Sequence, residues 1–139
     1  MKTYPRERFS TEIALTPSNV AGFAAAAGDT NPVHHDPGFA EGTRYGRLIA
    51  SGSQTCSLLM GLTASHFSAR GAMVGLEFWF RFRRPVYADE TVRVEWLVVK
   101  VTPNQRLGGD IVDLRGRILR QDGQTAVGAK GRVLVADAL

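Results

Sequence analysis

The stretch "LIASGSQTCSLLMGLTASHF", Leu48 to Phe67, decides the fold. It holds no proline, and apolar or small residues fall on nearly every side of it. Past Gly52 the pattern predicts a helix from about Ser53 to Phe67, buried all round, with Ser51 or Ser53 as its cap. Such a helix needs a layer wide enough to surround it, and the sequence that follows supplies one. "LEFWFRFRRPV" alternates, setting Leu76, Phe78, Phe80 and Phe82 on one face against Glu77, Trp79, Arg81 and Arg83 on the other. Three more strand runs follow, Thr91 to Val101, Asp110 to Arg120 and Thr125 to Val135. They are separated by "TPNQRLGG" and by an Asp122-Gly123 pair suited to a tight hairpin.

Upstream, "FSTEIAL" (Phe9 to Leu15) partly alternates and predicts one early strand. Thr16 then offers an N-cap with Pro17 at the first helical position, opening a helix through "SNVAGFAAAA" that Gly28 ends. The expected class is α+β, with one early strand and a meander of four long strands wrapped as an antiparallel sheet around the central helix. A sheet of that kind has an outer face and an edge that a second copy can cover, so a homodimer or higher homo-oligomer is expected.

With 139 residues, 44% of them hydrophobic, the chain is expected to form one domain spanning residues 1–139. No basic-then-apolar leader pattern and no apolar run long enough for a bilayer stands in the sequence, so the expected location is the cytoplasm, with no membrane partner. The single cysteine, Cys56, excludes an internal disulfide and a Cys-rich metal site. Its apolar setting, "TCSLLMGL", favours packing over nucleophilic chemistry. Seventeen Lys and Arg against thirteen Asp and Glu give a net charge of +4. That excess suits a polyanionic partner without choosing among nucleic acid, an acidic carrier protein and a phosphate-bearing cofactor.

Titratable chemistry gathers in "AGDTNPVHHD", Ala27 to Asp36. Pro32 and Pro37 keep this stretch out of regular helix, which makes it a shaped loop. Asp29, Asn31 and His34 are spaced Asp-x-Asn-x-x-His, so a carboxylate, an amide and an imidazole can converge there. A carboxylate and an imidazole together can grip one water, take its proton and return a proton to a neighbouring carbon. The adjacent His34 and His35 normally point apart and, with Asp29 and Asp36, lack a recognisable ligand spacing, so no metal is expected. His35 is expected to be a solvated loop histidine. Spacing alone leaves turn chemistry and active site both open, since Asp and Asn also cap their own backbone. The companion segment "LIASGS" favours the site. Gly52 opens the central helix, where free amides at the positive end of the helix dipole could hold a developing oxyanion.

"FAAAAGDTNPVHHDPGFA" resembles the signature of (R)-specific enoyl-CoA hydratases and related MaoC-like dehydratases, and "GRLIASG" is similar to the segment that follows it in that family. The resemblance implies the hotdog fold, a long helix wrapped by an antiparallel sheet. It also implies that Asp29 and His34 form the catalytic pair, that Asn31 supports them and that the Gly52 amide is the oxyanion donor. The implied reaction adds water to a trans-2-enoyl thioester of CoA or an acyl carrier, giving the (R)-3-hydroxyacyl product, or runs in reverse with no metal or redox cofactor. Ser51 stands where many such hydratases carry His, and Met60 where some carry a Ser lining the site, which implies an altered substrate.

Arg81, Arg83 and Arg84, with Arg44 and Arg47, are candidates for gripping the phosphates of coenzyme A. A hotdog thioesterase and a noncatalytic acyl-CoA or nucleic-acid binding subunit are the competing readings. No nucleic-acid partner is expected, because no recognised nucleic-acid motif accompanies the arginines.

Overall fold

The computed structural model describes residues 2–139. The early strand is β1 (Arg8–Ala14), and the helix after it is α1 (Pro17–Ala26). Thr16 caps α1 as expected, its hydroxyl accepting from the Asn19 amide at 3.1 Å, and Pro17 sits in the first turn where its missing N–H is not needed. Gly28, at φ +75°, takes the left-handed conformation that turns the chain out of α1. A single 3-10 turn, Pro32–His34, follows, and then the short helix α2 (Pro37–Glu41), capped by Asp36. Pro37 therefore starts a helix as well as ending the loop. The central helix α3 (Gly52–Ser68) takes Ser51 as its cap. The remaining strands are β2 (Ala72–Phe82), β3 (Thr91–Asn104), β4 (Gly109–Leu119) and β5 (Thr125–Ala136).

All five strands join one sheet in the order β1-β3-β4-β5-β2, with every pairing antiparallel. The four-strand meander expected from the sequence is thus only partly correct: β3, β4 and β5 follow one another, but β2 lies at the far edge beside β5. The reason is the segment 83–90, which is no hairpin. The amides of Arg83 and Arg84 both reach the Ala126 carbonyl, at 2.8 and 3.1 Å, and so tie the end of β2 to β5. Further on, Ala50 donates to Val86 and Ala88 to Leu48, so the segment pairs with the chain entering α3 on its way to β3, which lies between β4 and the edge strand β1.

The expected face of Leu76, Phe78, Phe80 and Phe82 is broken as well. A register shift between Gly75 and Glu77 sets Leu76 apart, and an irregularity of this kind re-aims the side chains around it. Phe78 and Phe80 stack on the core side, whereas Leu76 is 44% and Phe82 58% exposed.

The sheet wraps α3, the hotdog arrangement that the resemblance implies. Thr55, Leu59, Thr63 and Phe67 form one buried stripe, each four residues from the last. Complete burial of Leu59 and Phe67 contributes about 1.5–3 kcal/mol each. Trp96 of β3 lies against Gly116 of β4, where any Cβ would collide with its ring, and its indole N–H donates to the Leu59 carbonyl at 2.9 Å. The expectation that α3 is buried all round is corrected: Ser53, Ser57, Met60, Gly61, Ala64 and Ser65 are exposed along its other side. Most of these side chains are small, so they offer little apolar area to bury and tolerate water. No helix among the described residues is long and apolar enough to cross a membrane.

Candidate active site

The motif loop is built by its own polar side chains. Asp29 begins it, its amide still bonded to Ala24 of α1 at 2.8 Å. One carboxylate oxygen, Oδ1, accepts from the Asn31 amide at 3.0 Å, and Asn31 Oδ1 in turn accepts from the Val33 amide at 3.2 Å, capping the 3-10 turn. Turn chemistry and site chemistry therefore coexist in the same residues. The second oxygen of Asp29, Oδ2, faces His34 Nε2 at 3.4 Å. His34 is buried, while the Asp29 side chain is 32% exposed, so the pair opens toward solvent through its carboxylate.

His34 is fixed from behind. Its Nδ1 lies 2.8 Å from the Ile49 carbonyl oxygen. A carbonyl only accepts, so Nδ1 carries the proton, and in the neutral ring Nε2 turns a lone pair toward Asp29. Two acceptors facing each other at that separation offer a hydroxyl-bearing molecule lying beside both a pair of lone pairs to donate to. Ile49 closes the clasp a second time, its amide reaching the Val33 carbonyl at 3.3 Å. The loop and the approach to α3 are thereby held as one unit.

His35 is not the solvated histidine expected. It is partly buried, with Nε2 2.7 Å from the Asp29 carbonyl oxygen, and it ties the loop to itself. The His34 and His35 ring centroids are 6.5 Å apart at an interplanar angle of 69°, so the two imidazoles serve different partners.

Ser51 is fully buried, and its hydroxyl accepts from the Gln54 amide at 3.2 Å. Gly52 is the first residue of α3, so its amide belongs to the turn that has no intrahelical acceptor and sits at the positive end of the dipole. The Phe82 ring stands over this glycine: a Cβ built there would meet it at 3.1 Å. Strand alternation had grouped Phe82 with the core phenylalanines, and nothing local in the sequence marks its place beside Gly52. The Ile49 carbonyl was equally hidden, because a backbone acceptor leaves no side-chain signature.

Met60 lies on the open side of α3. Arg81 and Arg83 line a cleft on the outer face of the sheet, away from α3, and Arg84 donates to the Thr125 carbonyl at 2.8 Å. Arg81 and Arg83 therefore face away from Asp29 and His34, and Arg84 makes no hydrogen bond or ion pair with either among the described residues. Arg44 is exposed, and Arg47 lies over the Tyr87 ring at 3.8 Å. Cys56 is partly buried, and burial pushes its thiol above the ordinary range, in keeping with a packing role.

The family model of the MaoC like domain matches residues 3–116. Over 110 residues the chain is 36% identical to the (R)-specific enoyl-CoA hydratase of Aeromonas caviae, covering 79% of this chain and 78% of that one. Over 92 residues it is 34% identical to the 3-hydroxybutyryl-CoA dehydratase of Methylorubrum extorquens, covering 66% of this chain and 58% of that relative, which is less than two thirds of its length. Among solved structures, the (R)-hydratase from A. caviae involved in PHA biosynthesis superposes with a TM-score of 0.87 at 28% identity, covering 96% of this chain and 97% of that one. The Asp-x-Asn-x-x-His loop lies inside the matched span and the hotdog architecture is shared along nearly the whole chain, so this chain belongs to the family of MaoC-like domains.

Proposed function

We propose that this protein is a hydro-lyase that adds water across the double bond of a trans-2-enoyl-CoA thioester to give the (R)-3-hydroxyacyl thioester, and that it also runs the reverse dehydration. The observation that carries this reading is the opposed pair Asp29 Oδ2 and His34 Nε2, 3.4 Å apart and each anchored through its other polar atom. Water held by the pair gives up a proton as its oxygen bonds to C3, and the pair returns a proton to C2 on the same face. The electron density that shifts onto the thioester oxygen meets the Gly52 amide. Asn31 holds the turn that aims Asp29, Ser51 fixes the first turn of α3, and Met60 borders the acyl group on the open side of the helix. Adding water is neither a net oxidation nor a net reduction, so the chemistry calls for no redox cofactor. The names of the hydratase and dehydratase relatives support the thioester class.

A homodimer is the functional unit in this reading. β2 is bonded to β5 on one side only, and its exposed Val74, Leu76 and Phe82 leave apolar area on an open edge that a second copy would cover. The single cysteine fits a cytoplasmic location.

The test is turnover of short, medium and branched trans-2-enoyl-CoA thioesters, followed by loss of the enoyl absorbance together with a thiol reagent and chiral analysis of the product. Loss of absorbance with no free thiol and an R product is expected. Release of thiol in step with substrate loss would instead make the protein a thioesterase.

A further inference from the structure

We infer that the outer face of the sheet carries a second binding site, for a nucleotide bearing two or more phosphates. Cross-strand register places Arg8, Leu97, Arg115, Lys130 and Trp79 in one row across all five strands. The next row holds Ser10, Glu95, Arg117, Gly128 and Arg81. Their strand neighbours Phe9, Trp96, Ala129 and Phe78 belong to the core around α3, so by alternation these rows face the other way. Together with Arg83 and Arg93 they line a cleft of about 530 Å³ in which Glu95 is the single carboxylate. Glu95 is shared between Arg117 and Arg93. Arg8, Arg81, Arg83, Arg115 and Lys130 are left lining the cleft without a carboxylate of their own among the described residues. Cations gathered on adjacent strands, roughly 4.8 Å apart, repel one another and attract an anion of matching charge.

The details favour a nucleotide over other anions. The volume falls within the roughly 300–1,000 Å³ usual for small-molecule sites. Guanidinium groups match phosphate oxygens in a two-point fork. Trp79, at the end of the first row and 47% exposed, presents an aromatic surface for a base, with Arg81 5.4 Å and Lys130 5.5 Å from its ring centroid. Gly128 has no side chain, which keeps the floor low between Arg117 and Arg81. The row on the far side of Trp79 is balanced, since Lys100, Asp113, Arg132 and Glu77 alternate in sign. The cationic stretch therefore stops after a short distance, which suits one nucleotide rather than an extended strand. The sheet separates this cleft from Asp29 and His34, so the inference does not depend on the proposed reaction.

Free nucleotides and the nucleotide head of coenzyme A share this chemistry, and one titration separates them. ATP, CoA and pantetheine are each titrated in low salt while tryptophan fluorescence is recorded. Trp79 is open to the ligand and Trp96 is buried, so quenching reports the cleft. Quenching by ATP, or by CoA but not pantetheine, is expected, and it disappears in Trp79→Phe. Combined Arg115→Ala and Lys130→Ala substitutions, both at exposed sites, are expected to weaken binding at least about tenfold with enoyl thioester turnover unchanged. His34→Ala should do the reverse, losing turnover while keeping the quenching. The inference is overturned if neither ATP nor CoA quenches at about 1 mM, if the Arg115 and Lys130 changes leave binding intact, or if only oligonucleotides bind.

Discussion

His34 Nδ1 rests 2.8 Å from the Ile49 carbonyl oxygen, and that one bond decides which nitrogen faces Asp29. It links the motif loop to the segment that leads three residues later into Gly52, so the imidazole is aligned with the start of α3 rather than with its own loop alone.

Asp29→Asn separates the loop's architecture from its chemistry. An asparagine oxygen can still accept from the Asn31 amide, as Asp29 Oδ1 does at 3.0 Å, but the group opposite His34 Nε2 loses its charge and its basicity. Turnover is expected to fall by about a hundredfold or more with the fold intact by circular dichroism, and His34→Ala should match it. Near-normal turnover in both folded variants would remove the pair from the mechanism.

Asn31→Ala is expected to act chiefly on stability. Its side chain caps the 3-10 turn through the Val33 amide, and losing such a cap typically costs about 0.5–2 kcal/mol. Tm should drop measurably while kcat falls far less than in Asp29→Asn. A large kcat loss with no change in Tm would mean that Asn31 touches the substrate.

Local signals carried much of this structure. Thr16 and Pro17 announced α1, Gly28 its end, and Asp122-Gly123 the last hairpin, because caps and turns are decided within a few residues. Pairing between distant segments was not local. β2 beside β5 depends on the route of residues 83–90, and Phe82 over Gly52 follows from that route. The one-sided burial of α3 was misjudged because Gly, Ala and Ser count as permissible inside a core without requiring burial. Asp29, Asn31 and His34 were legible as a set because a single loop carries them. The alignment of His34 came from a backbone carbonyl that any residue at position 49 could supply.

The open edge of β2 gives a test of assembly. Leu76, 44% exposed beside the register shift, contributes apolar area there, and a lysine at an edge discourages strand pairing. Sedimentation is expected to show a dimer for the native protein and a shift toward monomer, with lower turnover, for Leu76→Lys. A fully active monomer of the native protein at assay concentration would contradict the dimeric unit.

Cys56 should prove chemically quiet. Burial raises its thiol above the ordinary range, so at neutral pH less of it is thiolate than in a free thiol, and the thiolate is the reactive form. Alkylation by iodoacetamide is expected to be slower than for a small free thiol at pH 7 and to accelerate as pH rises. Cys56→Ala should keep turnover within a fewfold of the native value. Rapid alkylation at neutral pH that abolishes activity would overturn the packing role.

The assignment of the oxyanion donor rests on Gly52, and Phe82 makes it testable. A methyl group at position 52 would point at the Phe82 ring, 3.1 Å from its nearest atoms, so Gly52→Ala must move either the ring or the first turn of α3. If the turn moves, the amide leaves its place, and loss of one such donor is typically worth roughly 2.7 to 4 kcal/mol in the barrier. To the extent that the turn moves rather than the exposed ring, kcat is expected to fall, by up to about a hundredfold, measured at saturating substrate so that a fit defect in KM is not mistaken for it. Ser51→Ala is the comparison. Its hydroxyl caps α3, so a loss of about 1 kcal/mol in stability with little change in kcat is expected. Adding Phe82→Leu to Gly52→Ala removes the ring that the methyl meets, lets the helix start return, and should restore most of kcat. A double variant as slow as the single one would show that the methyl obstructs the thioester directly. Full kcat in Gly52→Ala together with a large loss in Ser51→Ala would transfer the role to the serine hydroxyl.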